Sequence, residues 1–351
     1  MKLERRLLLV ASIGALLPSA LGGCRNAPDR SSVLEALVRE VVASGVAEVT
    51  VYSQGLERAL GQLAAAPSEA HLLTARNAWR HCVLAWKRAG SFRTGPFMEG
   101  NALLRATYFP VRPESIEQIL EGTRVIDARL VDEIGARDKG LFALEYVLFA
   151  GPSERRLDAP SAERSRRYAQ ALGSDVLGSA ERIARSLGAE GRNYAPGFAR
   201  DPQAAVTLLV NQMVETLETL AEARLGTVIW MNRVKRLQAS DVEGFASGAS
   251  HELALAELLG AERLYRSGES RGLSSLVKSL NPELHARLAG LFDRALQDVS
   301  RLQLPVERLV ELDPARVEAA QKSVKQLEIG VKNELASALG VSVTFTSGDS
   351  D

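Results

Sequence analysis

The stretch GLFALEYVLFAG, residues 140–151, is the place from which this chain is read. From Gly140 to Ser153 it carries one ionisable carboxylate, Glu145, among otherwise apolar side chains. Phe142, Glu145, Tyr146 and Phe149 stand three or four residues apart, so on a helix they share a face. A carboxylate taken out of water alone is unfavourable, so Glu145 needs a partner, a path to water or a raised pKa. Arg80 is a candidate partner, which would make the acid a structural ion pair. A ligand, metal or proton role is the alternative, since isolated carboxylates in clefts are functional candidates.

On both sides of this segment the pattern is helical. Leu34, Leu37, Val38, Val41 and Val42 recur at helical spacing after Ser32, a plausible N-cap, and the pattern runs to about Leu63. The β-branched run VAEVTVY (46–52) could suggest a strand, but its flanks favour helix. Between Pro67 and Gly90, the residues Leu72, Ala75, Trp79, Cys82, Val83 and Trp86 line one stripe. Residues 91–112 look irregular, short helices follow at 113–121 and 123–134, and Asp138 is placed to cap the quoted segment. Helices resume at about 160–187, 201–227, 249–266, 272–302 and 312–338, and the last residues, LGVSVTFTSGDSD, look extended. The fold class is therefore all-α.

The 351 residues are 46% hydrophobic and 25% charged, which excludes a disordered or collagen-like polymer. Basic and acidic residues balance at 43 each, so no basic field points to nucleic acid. Two cysteines, Cys24 and Cys82, exclude a disulfide-dense scaffold and a zinc site built on several thiolates.

The N-terminus reads as an address. Lys2, Arg5 and Arg6 precede an uncharged run from Leu7 to Leu21, interrupted by Pro18 and too short to span a bilayer comfortably. Its end, Leu21-Gly22-Gly23-Cys24, resembles a bacterial lipobox, which implies cleavage before Cys24 and acylation of its thiol. Arg25 rather than Asp after the cysteine suits transfer to an outer membrane. The expected organisation is a signal peptide at 1–23, a tether at 24–31, an N-terminal helical half at 32–155 and a C-terminal half at 156–351. The mature chain has a formal charge of −2 and leaves Cys82 as a buried apolar thiol.

Chemical motifs are few. His71, His81, His251 and His285 form no H-E-x-x-H pair and read as surface or capping residues. Trp79 and Trp86 read as core anchors rather than a sugar-stacking platform. Ser247 and Ser250 lie near a helix start, where capping is their natural role. No Gly-x-Ser-x-Gly elbow, Walker loop or GxGxxG after a strand is present.

The quoted segment resembles the signature helix of the imelysin-like family, bacterial exported proteins once described as insulin-cleaving membrane peptidases. The family pattern is Gly-x-His-x-x-Glu. Gly140, Glu145, Tyr146 and Leu148 fit it, while Phe142 stands where the family has histidine. ARNAWRHCVLAW (75–86) is similar to the family's Trp-containing helix, and TYFPV (107–111) to its proline-containing stretch. LVNQMVETLETLAEARLG (209–226) resembles a later helix, and EGFASGAS (243–250) a Glu-Ser-x-x-Ser segment that keeps Glu243, Ser247 and Ser250.

This resemblance implies two packed helical-bundle halves with the signature at their interface, and an association with iron acquisition. Some members hold a metal through the signature His and Glu. Phenylalanine offers no lone pair, and an acidic position after the Trp helix corresponds to Gly90 here, so the metal site is expected to be degenerate. No cofactor is expected; iron or another divalent metal is the residual possibility, with Glu145 the one signature ligand left. Binding is expected in an interdomain cleft lined by Gly140, Phe142, Glu145, Tyr146, Trp79, Arg80, Glu243, Ser247 and Ser250, with no catalytic residue. The implied function is a non-catalytic binding or accessory lipoprotein of the envelope, tied to metal uptake. Its partners would be the membrane, through the lipid, and an envelope or metal-uptake protein. The alternatives are an imelysin-type metallopeptidase or a structural partner of an envelope protein.

Overall fold

In a computed structural model of the chain, residues 28–150, 157–159, 162–267 and 272–343 are described. The expected signal peptide, Cys24 and the ending beyond residue 343 lie outside them. Thirteen helices of six residues or more organise the described residues: α1 (30–65), α2 (Glu69–Ala89), α3 (Ala102–Thr107), α4 (Pro113–Glu121), α5 (Ala128–Glu133), α6 (140–150), α7 (Glu163–Leu187), α8 (202–234), α9 (Ser250–Arg266), α10 (Leu273–Leu280), α11 (Pro282–Ser300), α12 (Val306–Leu312) and α13 (314–339). No strand occurs among the described residues. Four of the helices contain a stretch wound in wider π turns, at Leu37–Val42, Tyr146–Ala150, Thr219–Gly226 and Gly330–Leu335.

The local signals act as their chemistry dictates, with differences in detail. The VAEVTVY run lies inside α1, because Val46 and Val49 extend that helix's buried stripe and the packing of a whole helix outweighs a local β preference. α1 is capped by Asp29, whose carboxylate accepts from Ser32 N at 2.9 Å, so Ser32 is the capped residue rather than the cap. Ser68 caps α2 through His71 N. The expected helix at 272–302 is broken at Asn281, whose side chain caps α11 just ahead of Pro282. Asp138 caps nothing: the cap position of α6 is Lys139, and the Asp138 carbonyl instead accepts from the Tyr168 hydroxyl. The stretch 91–112 is less irregular than its composition suggests, since α3 forms within it.

The helices pack in two groups. α1, α2 and α7 lie along one another, with α3 and α6 against α7; α8, α9, α11 and α13 form the second group, and the contact of α2 with α9 joins the two. α7, which follows the expected 155/156 boundary, packs with the first group, and the connection between Leu187 and Pro202 leads from it to α8 in the second. One continuous apolar core runs from Val33 to Leu339 through both groups. Each Leu, Val or Phe in it contributes about 1.5–3 kcal/mol by leaving water.

Candidate functional site

α6 enters the junction at Gly140, where φ is +79°. A Cβ there would stand 2.4 Å from the Arg105 carbonyl oxygen and 2.8 Å from that of Ala106, so only glycine fits. Every residue from Gly140 to Glu145 is buried. The helix is held by donors from α2: the Trp79 indole N–H donates to the Leu141 carbonyl at 2.7 Å, and Arg76 Nε to the Leu148 carbonyl at 2.8 Å. Arg76 also lies over the Phe149 ring at 5.1 Å, and Trp79 meets that ring edge-on. Trp79 and Trp86 are fully buried anchors, as the stripe implied.

Glu145 is 5% exposed. Its partner is Ser247, not Arg80. Glu145 Oε1 accepts from the Ser247 backbone N–H at 2.9 Å and from the Ser247 hydroxyl at 2.7 Å. Arg80 sits on the outer side of the same residue, donating to the Ser247 carbonyl at 2.9 Å and to Glu252 at 2.6 Å. Burial raises the Glu145 pKa to about 7 despite those donors, with Glu243 and Glu307 adding repulsion. Tyr146 points away from this group and donates to Glu117 on α4 at 2.8 Å. Ser250 does not cap α9: its hydroxyl donates to Glu307 at 2.6 Å and accepts from Val306 N at 2.8 Å, tying α9 to α12. Neither it nor Ser247 performs the capping role read from sequence. The 243–250 turn depends on Gly244 and Gly248, both at positive φ.

Behind Phe142 lies a cluster the sequence reading did not assemble. Lys87, 7% exposed, holds its ammonium 2.5 Å from Glu243 and 3.2 Å from Glu257. Arg224 reaches Glu243 at 2.8 Å and Glu257 at 3.6 Å, so two cations and two anions neutralise one another. The Lys87 ammonium also sits 5.5 Å from the centre of the Phe142 ring. Burial pushes the Glu257 carboxyl up, but Lys87, Arg224 and Arg93 together hold it below the usual range. A signal for the cluster existed: Lys87 follows Val83 by four residues, and Glu257 follows Leu253 by four, placing charges on otherwise apolar stripes.

The donor set does not fit a metal held through the signature positions. Phe142 gives no lone pair, Glu145 Oε1 already accepts two hydrogen bonds, and the adjacent cationic position is filled by Lys87. Among the described residues no three of His, Cys, Asp and Glu gather to hold an ion. A cavity of about 580 Å³ borders Lys87, Gly90, Gln212 and Glu257, and none of the nine residues expected to line a cleft borders it. Glu243 and Ser250 border only a void of about 20 Å³.

The architecture defines a class: an all-helical protein of two joined bundles, with a glycine-started apolar helix bearing one acid at the junction. Residues 47–330 match the family described as Imelysin, and the chain belongs to that family. It is similar in fold to an imelysin-like protein from Psychrobacter arcticum 273-4, at 16% identity and TM-score 0.75, over 91% of this chain and 99% of that one. It is likewise similar to a protein from Parabacteroides distasonis ATCC 8503 assigned as an iron-regulated protein A precursor, at 17% identity and TM-score 0.73, over 91% of this chain and 96% of that one. No curated protein sequence matches the chain.

Proposed function

We propose that this imelysin-family chain is a non-catalytic binding or accessory lipoprotein of the bacterial envelope, linked to iron uptake and without a working signature metal site. The observation that carries this reading is the Lys87 ammonium above Phe142, bound to Glu243 and Glu257. Lys87 already occupies the nearby carboxylates Glu243 and Glu257 that a metal would need beside Glu145, and the Phe142 ring cannot ligate. The iron link rests on the relative assigned as an iron-regulated protein A precursor. The envelope assignment rests on the lipobox-like Leu21–Cys24 segment.

Metal analysis of the purified protein, combined with a peptide-cleavage assay with and without chelator, tests the reading. The expected result is sub-stoichiometric iron, zinc and nickel, and no chelator-sensitive cleavage. Stoichiometric metal that disappears in Glu145→Ala, or chelator-sensitive proteolysis, overturns it in favour of a metallopeptidase. Metabolic labelling with an alkyne fatty acid checks the anchor: labelling is expected in wild type and absent in Cys24→Ala.

A further inference from the structure

On the lipoprotein reading the molecule hangs from Cys24, and the start of α1 fixes which end hangs nearest the lipid. Asp29, the cap of α1, stands five residues after Cys24, and five residues reach at most about 18 Å in any conformation. The Arg30 guanidinium donates to the Gln203 side chain at the start of α8. Gln203 Nε2 in turn donates to the Gly340 carbonyl at 2.9 Å, just past the end of α13. α11 runs antiparallel to α13, with Arg287 paired to Glu334 and Leu291 packed on Gly330. Asn281, six residues before Arg287, therefore stands level with Gly340, six after Glu334. α10 touches both the first turns of α1 and the last turn of α13. Arg30, Gln203, Leu280 and Gly340 thus gather at one end of the molecule.

Three side chains at this end face outward without partners. Arg200, just ahead of α8, and Lys278 on α10 are exposed and form no ion pair among the described residues. Leu280 is 54% exposed. Of the acids here, Asp29 and Asp201 accept from backbone N–H groups as helix caps, and Glu283 is exposed at the start of α11. These match Arg30, Arg200 and Lys278 in number, so no net field draws this end to a charged surface. The opposite end carries Trp230, 62% exposed and about 40 Å along α8 from Gln203.

We infer that the face bearing Arg200, Lys278 and Leu280 rests on the phospholipid surface. Leu280 enters the interfacial layer, the two cations donate to lipid phosphates, and Trp230 points away from the membrane. The inference rests on the lipoprotein reading, since it takes Cys24 as the point of attachment. The tether supplies the encounter: an end held within about 18 Å of the headgroups meets them at high effective concentration. Contacts too weak to recruit a free protein then suffice. Every phospholipid carries the phosphate, so zwitterionic and anionic bilayers are expected to serve equally.

Protein beginning at Cys24, coupled through that thiol to a maleimide-bearing phosphatidylethanolamine in phosphatidylcholine vesicles, tests the contact. Cys82 has no exposure and is spared by the reagent. Leu280→Trp is read in a Trp230→Phe background, where Trp79 and Trp86 are buried. Lipid brominated near the top of its acyl chains should quench at least about half of the emission this substitution adds, because tryptophan settles at the membrane interface. Native Trp230, and Leu104→Trp beside the Arg105–Asp175 pair on the middle of α7, should each lose less than about a tenth. The same pattern is expected with one quarter phosphatidylglycerol, and circular dichroism melts verify the folds. No quenching in Leu280→Trp overturns the inference by leaving this end off the bilayer. Equal quenching in Leu104→Trp overturns it by laying the molecule on its flank. The chemical link makes both outcomes independent of acylation in the cell. Failed fatty-acid labelling of Cys24 removes the lipoprotein reading and the inference with it, whereas successful labelling without quenching removes the inference alone.

Discussion

The middle and the C-terminal end of α2 meet the rest of the molecule in opposite ways. The middle, around Arg76, Trp79 and Arg80, is packed against α6 and the 243–250 turn, with a donor from each of these residues spent on a carbonyl or carboxylate. Its C-terminal end, from Trp86 to Gly90, borders the open cavity of about 580 Å³. The family-like pattern marks the first region and no motif marks the second. In this chain the recognisable segment is a joint between bundles, and the open volume lies one or two turns further along the same helix. Lys87 belongs to both regions, closing one and lining the other.

The largest test of that comparison is Lys87→Met. It leaves Glu243 and Glu257 to share Arg224, and urea unfolding should show a loss of about 3–5 kcal/mol. A loss under about 1 kcal/mol would mean the cluster is wetter than its burial indicates.

Glu145 gives the next effect. Its folded pKa of about 7 stands above the unfolded value of 4.5, so between those limits the folded chain binds the proton more tightly. Stability from this group is present in full below pH 4.5 and is lost as pH rises through 7. The difference integrates to about 3 kcal/mol. Unfolding free energies of wild type and Glu145→Gln, measured from about pH 5 to pH 8, should therefore diverge, with wild type falling more steeply as pH rises. Parallel profiles would place the acid in water and break the description of the joint as closed.

Gly140→Ala should destabilise by about 2–3 kcal/mol through the Arg105 and Ala106 carbonyls, measured by urea unfolding; a loss under about 0.5 kcal/mol would show that the joint yields around an added methyl. The smallest effect belongs to Phe142→His. Because Glu243 and Glu257 stay bound to Lys87 and Arg224, the new imidazole has only Glu145 beside it, and calorimetric titration with nickel should show less than about a threefold gain in affinity over wild type.

The fold was legible from the sequence because helical stripes survive local contradictions. VAEVTVY carries β-branched residues, yet Val46 and Val49 fall on the buried face of α1 and packing decides. The grouping of helices was not legible: the 151–162 break looks like a boundary, but whether α7 leans on α1 or on α8 is a three-dimensional fact. At the site, the isolation of Glu145 among apolar residues correctly announced a buried acid that needed donors. Its partner was misread, because an arginine is conspicuous in a sequence whereas a serine with its own backbone N–H is not. The Lys87 cluster was visible only as charges at stripe positions on three separate helices, a signal that acquires meaning once those helices are brought together. The cavity left almost none, since Met98, Leu104, Leu208 and Gln212 are unremarkable side chains in helical or turn settings.

Cys82 stands in the middle of α2 with no solvent exposure, in contact with Ser53 at 3.5 Å, and burial pushes its thiol up to about 12. In protein that begins after Cys24 it is the sole sulfhydryl. A thiol-reactive reagent can then modify it only when α1 and α2 separate, so the rate of alkylation in native buffer times the breathing of the first bundle without any introduced reporter.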